Sequence, residues 1–239
     1  MDYMVNTLCI VQARLTSSRL PNKVLLELGR TGLSLLEHVN LRLQQARLID
    51  KIVFAIPDAV SNDSLESFLR LHGIECFRGS EDDVLDRFYQ CALVYHPHMV
   101  VRATCDNPFV DWELADSLIS FLGDADYAYC SAAPLGTSVE VFSMDALIRG
   151  NKEAVDMKYR EHVCPYFRDN RDKFVCKDYR CKPLSYRLTV DEADDFKLVN
   201  LLYKDLYKGT PISNRILYQY LEEHPSLALI NRDVLQKRV

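Results

Sequence analysis

Thr7-Leu8-Cys9-Ile10-Val11-Gln12-Ala13 runs straight into Arg14-Leu15-Thr16-Ser17-Ser18-Arg19-Leu20-Pro21-Asn22-Lys23, and this junction decides the reading of the chain. Residues 7–13 are a short apolar run rich in β-formers, which predicts a buried strand. The chain then turns polar at once. Three cations (Arg14, Arg19, Lys23) and three hydroxyls (Thr16, Ser17, Ser18) crowd one loop.

Working outward, strand-length apolar runs recur at 51–56, 74–77, 99–104 and 127–130. Helical patterns lie between them. Ser34 opens one, with Glu37 at capping-box spacing and Leu35, Leu36, Val39, Leu43 and Ala46 on one face. Others span 65–72 and 84–95, and one is capped by Asp111 and ends near Gly123. Strand–helix alternation with short connections predicts an α/β fold with a mostly parallel, doubly wound sheet. Ligands then sit at the carboxyl ends of the strands. The second half is less regular. Strands are expected at 139–142, 174–177 and 186–190, and helices at 145–151, 158–170, 192–207 and 214–223. The length fits one domain over 1–239, with 131–186 read as a substrate or dimerisation subdomain.

Composition narrows the classes. The formal charge is -5, and no run of five Lys/Arg offers a face to a nucleic-acid backbone. No apolar stretch reaches membrane-spanning length. The first residues carry Asp2 where an export signal carries cations, so a cytoplasmic protein is expected. The eight cysteines form no C-x-x-C pair. They read as free, mostly buried thiols in a reducing compartment rather than disulfides or zinc ligands.

Four segments can carry chemistry, and each has a plainer alternative. The loop 14–23 can cradle phosphates through backbone N–H groups, hydroxyls and cations, or be a solvated loop. In Arg78-Gly79-Ser80-Glu81-Asp82-Asp83, Gly79 and Ser80 let backbone approach a ligand. Equally, Ser80 and Asp83 have capping-box spacing. Asp106, in Arg102-Ala103-Thr104-Cys105-Asp106-Asn107-Pro108, lies past a strand end, where a carboxylate can hold Mg²⁺. It can also belong to an Asp-Asn-Pro turn. Asp191 offers a second metal-facing carboxylate or a helix N-cap. His96-Pro97-His98 reads as solvent-exposed, and the tyrosines at 203, 207, 218 and 220 as helix packing. The triplet Asp124-Ala125-Asp126 has the form used by sugar transferases but lies near a helix end before a fifth strand.

Together, Q-A-R-x-x-S-x-R-L-P-x-K, F-R-G-S-E-D-D-V-L-D-R, R-A-T-C-D-N-P and R-L-T-V-D-E-x-x-D resemble the cytidylyltransferases of the spore-coat polysaccharide biosynthesis protein F family, relatives of CMP-KDO and CMP-sialate synthetases. The resemblance spans nearly the whole chain. It implies a glycosyltransferase-A-like sheet, CTP and a sugar-like acceptor as substrates, Mg²⁺ as cofactor, and a homodimer. It implies that Arg14, Ser17, Arg19, Lys23, Gly79, Ser80, Asp83 and Arg102 serve the nucleotide. Asp106 and Asp191 would bind the metal, with Arg14 and Lys23 beside them in catalysis. Thr137, Glu140 and His162, in segments of the same family character, would face the acceptor. The family usually has glycine where Thr16, Asn22 and Cys105 stand. These departures make a nucleotide-binding partner without catalysis the alternative.

Overall fold

The computed structural model describes residues 5–236. The reading against an export signal begins on residues 1–4 and lies outside them. In chain order the elements are β1 (Thr7–Gln12), α1 (Leu35–Leu43), β2 (Lys51–Pro57), α2 (Asp63–Leu71), β3 (Cys76–Gly79), α3 (Val84–Tyr95), β4 (Met99–Thr104), α4 (Trp112–Leu122), β5 (Tyr127–Tyr129), β6 (Glu140–Ser143), α5 (Met144–Glu153), α6 (Met157–His162), α7 (Cys164–Asp169), β7 (Cys176–Asp178), α8 (Ala193–Leu206) and α9 (Asn214–Glu223). The strands form one sheet in the order β3-β2-β1-β4-β6-β5-β7. It is parallel except at β6, which runs antiparallel to β4 and β5. The α/β, mostly parallel architecture is therefore as expected.

Strand β1 is central and covered on both faces, which is why it reads as an unbroken apolar run rather than an alternating one. Cys9 and Val11 face a core shared with α1, α2, α4, α8 and α9. Leu8 and Ile10 face a second core with α3, α5 and α7. The sheet is thus the middle layer of three. Residues 140–178 supply β6, β7 and helices α5 to α7 to this sandwich.

Three local expectations are corrected. The helix expected at 158–170 is two six-residue helices, α6 and α7. Pro165 stands in the first turn of α7. In a continuous helix it would lack an N–H and clash with the carbonyl four residues back, so the chain turns at Val163, with φ of 65°. Residues 186–190 are extended but not a strand of the sheet. They bond first to Leu135 and then to the carbonyl of Asp106, two loops, and form a single bridge. Finally, neither Ser80 nor Asp191 is an N-cap. Asp83 caps α3, accepting the Asp86 N–H, while the Ser80 hydroxyl accepts the Asp83 N–H. Ahead of α8, Asp195 Oδ2 accepts the N–H groups of both Asp191 and Glu192. Glu192, not Asp191, is the N-cap of α8, so the Asp191 side chain is left to the site.

Among the described residues all eight cysteines are free, five of them buried. Their scatter in sequence hides one close pair, Cys130 and Cys181, with sulfurs 3.1 Å apart. No helix among the described residues is long and apolar enough to cross a membrane.

Candidate functional site

Strands β1, β2, β3 and β4 run parallel, so Gln12, Pro57, Gly79 and Thr104 end on one edge of the sheet. The loops that leave this edge carry most of the candidate residues.

At its centre Lys23 joins the two acids. Its Nζ donates to Asp106 Oδ2 at 3.1 Å, Asp191 Oδ1 at 2.9 Å and the Val190 carbonyl at 2.7 Å. Carboxylates 85 positions apart in sequence therefore converge on one cation. All three ammonium N–H groups are used, so Lys23 reaches a phosphate only by releasing one of these partners. Arg19 also turns to the acids, 3.4 Å from Asp191 and 3.0 Å from Glu192. Arg187 fixes Asp191 from the other side at 3.1 Å and holds Asp195 at 2.8 Å. Burial opposes the charge on Asp106, but the Lys23 ammonium, Thr104 and its own backbone outweigh it and hold the carboxyl below its ordinary range. Burial likewise opposes the charge on Lys23, and the two carboxylates outweigh it and raise its pKa.

The signs set a pH window. A depressed aspartate contributes stability that is present above its unfolded pKa and lost as pH falls through the folded value. A raised lysine contributes stability that is present below its unfolded pKa and lost as pH rises through the folded one. The Lys23–Asp106 pair is therefore intact from mild acid to beyond the ordinary lysine range. We expect Asp106→Asn to flatten the acid limb of a Tm-against-pH curve. Superimposable curves would show that this carboxylate does not titrate with folding.

The loop that carries Lys23 is held by buried contacts. The fully buried Asn62 accepts the Leu15 N–H at 3.0 Å. The Ser17 hydroxyl accepts the Leu20 N–H at 3.4 Å. Arg14 is exposed. Asn22, at a position where the resembling family usually has glycine, adopts φ 56° and ψ 18°. Asparagine is the residue after glycine that best tolerates this left-handed region. Thr16 and Cys105 are not among the positive-φ residues, so neither position demands glycine here. Asn22→Gly should leave stability within a few tenths of a kcal/mol, whereas Asn22→Val should cost about 1–2 kcal/mol, read by denaturant midpoint. Equal midpoints would mean that the loop readjusts.

A second cluster lies further along the edge, on β4 and β6. Arg102 Nη1 donates to Glu140 Oε2 at 2.8 Å, and the Cys164 thiol donates to the same oxygen at 2.6 Å. Oε1 accepts from the Tyr127 hydroxyl and lies 3.4 Å from Arg168 Nη2. Burial opposes ionisation of Glu140, but the two guanidiniums prevail and lower its pKa. Two cations against one carboxylate leave the cluster net positive. Arg102, Glu140 and Arg168, with Thr104, Asn107, Ser131 and Ser138, line a cavity of about 290 Å³. Glu140→Gln should destabilise the fold by about 3 kcal/mol, because it leaves two guanidiniums facing each other. A thermal melt at neutral pH reads this, and an unchanged Tm would mean that the cluster relaxes without cost.

The remaining candidates fall elsewhere. Asp83 is gripped by Arg160, whose Nε and Nη2 lie 2.9 and 2.5 Å from Oδ2. The segment 160–162 thus packs beside the start of α3. His162 is partly exposed, 3.9 Å from Glu161, and is not among the residues lining the Arg102–Glu140 cavity. Thr137 is buried and donates to the Pro134 carbonyl. It lines a different cavity of about 470 Å³, with Asp111, Pro134, Cys181 and Tyr218. Asp126 precedes β5, on the opposite edge of the sheet, and is paired with Arg149. His96 and His98 are exposed, and Tyr203 is buried against Phe109. Sequence reasoning missed Arg87, Arg160, Arg168 and Arg187 as site-supporting cations. Arg87 stands inside a quoted motif, but no spacing rule marks an arginine as buried.

A three-layer α/β sandwich with these loops on one edge belongs to the nucleotide-sugar type of nucleotidyltransferase fold. It is shared with a cytidylyltransferase from Leptospira borgpetersenii at a TM-score of 0.86 and 24% identity, covering 98% of this chain and 99% of that one. It is shared at a TM-score of 0.65 and 14% identity with CMP:2-keto-3-deoxy-manno-octonic acid synthetase complexed with CTP, covering 84% of this chain and 99% of that one. The chain belongs to the cytidylyltransferase family, whose model matches residues 8–219. It is 36% identical over 237 residues to the spore coat polysaccharide biosynthesis protein SpsF of Bacillus subtilis, covering 94% of this chain and 98% of that protein.

Proposed function

We propose that this protein is a Mg²⁺-dependent cytidylyltransferase that moves CMP from CTP onto a sugar or sugar-acid acceptor and releases pyrophosphate, in the assembly of a cell-surface polysaccharide. The observation that carries the reading is the seat of Lys23 between Asp106 and Asp191 at the carboxyl edge of the sheet. The SpsF relative supports the pathway, and the CTP-bound neighbour supports the nucleotide.

The donor set fits Mg²⁺. Two hard carboxylate oxygens already converge on one cation, and no cluster of three or more His, Cys, Asp or Glu among the described residues forms a closed cage. Mg²⁺ takes one or two carboxylates and completes its shell with phosphate and water. Asp106 and Asp191 would hold it, and when bound it neutralises charge on the phosphates and orients them.

The chain's own residues do the rest. The acceptor oxygen forms its bond to the α-phosphorus as the bond to the bridging oxygen of pyrophosphate breaks, and the acceptor proton passes to solvent. Arg14 meets the phosphates from the loop. Lys23 shares its charge between the acids and the departing pyrophosphate. Arg187 and Asp195 fix the direction of Asp191, and Asn62 fixes the loop. Positioning of this kind can supply most of the acceleration. We place the acceptor in the cavity floored by Arg102, Glu140 and Arg168, whose net positive charge suits an acidic or phosphorylated sugar. The chain acts as one unit over 1–239, with 131–186 as its acceptor and dimer face. Val155 and Met157, 88% and 61% exposed, support that face as a homodimer contact. Its free thiols suit the cytoplasm.

The test is pyrophosphate release from CTP with a panel of sugar acids and sugar phosphates. Release with one acceptor, abolished by Asp191→Asn, supports the proposal. Release that survives Asp191→Asn contradicts it.

A further inference from the structure

Two thiols meet in the wall between two cavities. Cys130 follows β5 and lines the Arg102–Glu140 cavity, while Cys181 follows β7 and lines the neighbouring cavity of about 470 Å³. Ala133 and Pro134 line both. The wall is two irregular segments laid side by side, 130–136 and 179–188. One end is zipped. The Leu135 N–H donates to the Tyr186 carbonyl at 3.1 Å, and the Leu188 N–H donates to the Leu135 carbonyl at 2.7 Å. At the other end the Tyr179 N–H donates to the Tyr129 carbonyl at 2.7 Å, and Asp178 accepts the Ser131 N–H and hydroxyl at 2.9 and 2.6 Å. Between these ends no backbone hydrogen bond joins 132–134 to 180–185 among the described residues.

The thiols stand where that second pairing stops. Their sulfurs are 3.1 Å apart, about 1 Å more than a disulfide needs. Cys130 is 8% exposed and Cys181 is partly exposed, so a small reagent reaches one sulfur with the other directly behind it. Cys181 is not an activated thiolate. Burial first, then the hydrogen bond and charge of Cys130 and the charges of Asp111 and Asp178, push it up to about 12. Proximity rather than acidity favours the bond, and exchange is slow at neutral pH.

We propose that Cys130 and Cys181 are a reversible disulfide switch that locks this wall, with a small disulfide as the oxidant. The Cys181 thiolate attacks one sulfur of the reagent, and one small thiol leaves. The Cys130 thiolate then attacks the Cys181 sulfur of the mixed disulfide, and the second small thiol leaves. One S–S bond breaks and one forms. The two cysteine protons end on the released thiols, and the two electrons lost by the protein reduce the reagent. Disulfides in a reducing compartment are usually of this transient, redox-sensing kind. The closed loop spans 51 positions and contains β6, β7 and α5 to α7. It fixes Ala133 and Pro134, and with them the shape of both cavities. That one of these is the acceptor's cavity rests on the cytidylyltransferase reading; the cross-link does not.

Oxidised glutathione tests this on the full chain at mildly alkaline pH, with dithiothreitol as the reversal. Peptide mapping after alkylation should find Cys130 joined to Cys181, and the joined species should vanish in dithiothreitol. Cys181→Ser should not form it. In the oxidised form hydrogen exchange at the amides of 131–136 and 180–186 should slow by about tenfold, with no change in Cys181→Ser treated alike. The oxidised form should also melt roughly 5–10 °C higher, the gain from closing a loop of this length. CTP should raise Tm equally in both forms, because the lock lies on the acceptor side. Glutathione held at Cys181 without the Cys130 link, pairing with other cysteines, or a linked form with unchanged exchange at the wall overturns the proposal. A CTP shift lost only on oxidation overturns the assignment of the lock to the acceptor side. A CTP shift in neither form overturns the cytidylyltransferase reading and leaves the switch standing.

Discussion

Lys23→Met is expected to lower kcat for pyrophosphate release by about 10²–10³-fold, the scale of losing one preorganised charged donor. The same substitution should lower stability in the absence of metal. Lys23 is the cation on which Asp106 and Asp191 converge, with its own side chain 10% exposed and theirs 30% and 14%. Without it two carboxylates face each other, with Arg19 and Arg187 the cations left on Asp191. Breaking one partner out of a buried pair costs about 3–5 kcal/mol. The partial exposure of Asp106 moves the expectation to the lower end. The loss should be largely recovered by millimolar Mg²⁺, since a divalent ion between the acids replaces the missing charge and stabilises by mass action. Melts in chelator and in Mg²⁺ read both effects. A Lys23→Met protein with wild-type stability and no response to Mg²⁺ would remove Lys23 from the centre of the site.

Asp106→Asn should leave the chain folded and reduce kcat by more than roughly 100-fold, since the outer partners of a metal ligand alone are worth about 10–100-fold. The substitution preserves shape and keeps an oxygen toward Lys23, but it removes the charge. The loss should fall on kcat more than on the KM for CTP, because the lost carboxylate charge acts most strongly on the transition state. Initial rates over a CTP series at saturating Mg²⁺ separate the two. A change confined to KM would make Asp106 a binding residue only.

Much of this was legible in the sequence. The unbroken apolar run at residues 7–13 announced a strand covered on both faces, and β1 is central. Asp111 and Ser34 cap the helices their spacing predicted. What stayed hidden depends on partners distant in the chain. Whether Asp191 caps or faces the site was open from spacing. The fold settles it: Glu192 is the N-cap of α8, and Asp195 closes its capping box. The break at 158–170 has a local cause, Pro165 in the first turn of α7. Residues 186–190 have strand composition, but their hydrogen bonds go to two loops on either side, a choice that only the tertiary structure makes. The arginines show the limit most clearly. Arg42, Arg102 and Arg160 look alike in sequence, and only burial and partners tell that Arg42 bonds neutral groups while Arg102 and Arg160 are paired with acids.

The central claim is that the carboxyl edge is a nucleotide site completed by a divalent ion. Its most direct test is a thermal-shift comparison of CTP, UTP, ATP and GTP, each with and without Mg²⁺. The account predicts the largest rise for CTP, growing when Mg²⁺ is added, on the scale of ~2.7 kcal/mol at a hundredfold excess over Kd. No shift with any nucleotide, or a CTP shift indifferent to Mg²⁺, would contradict it.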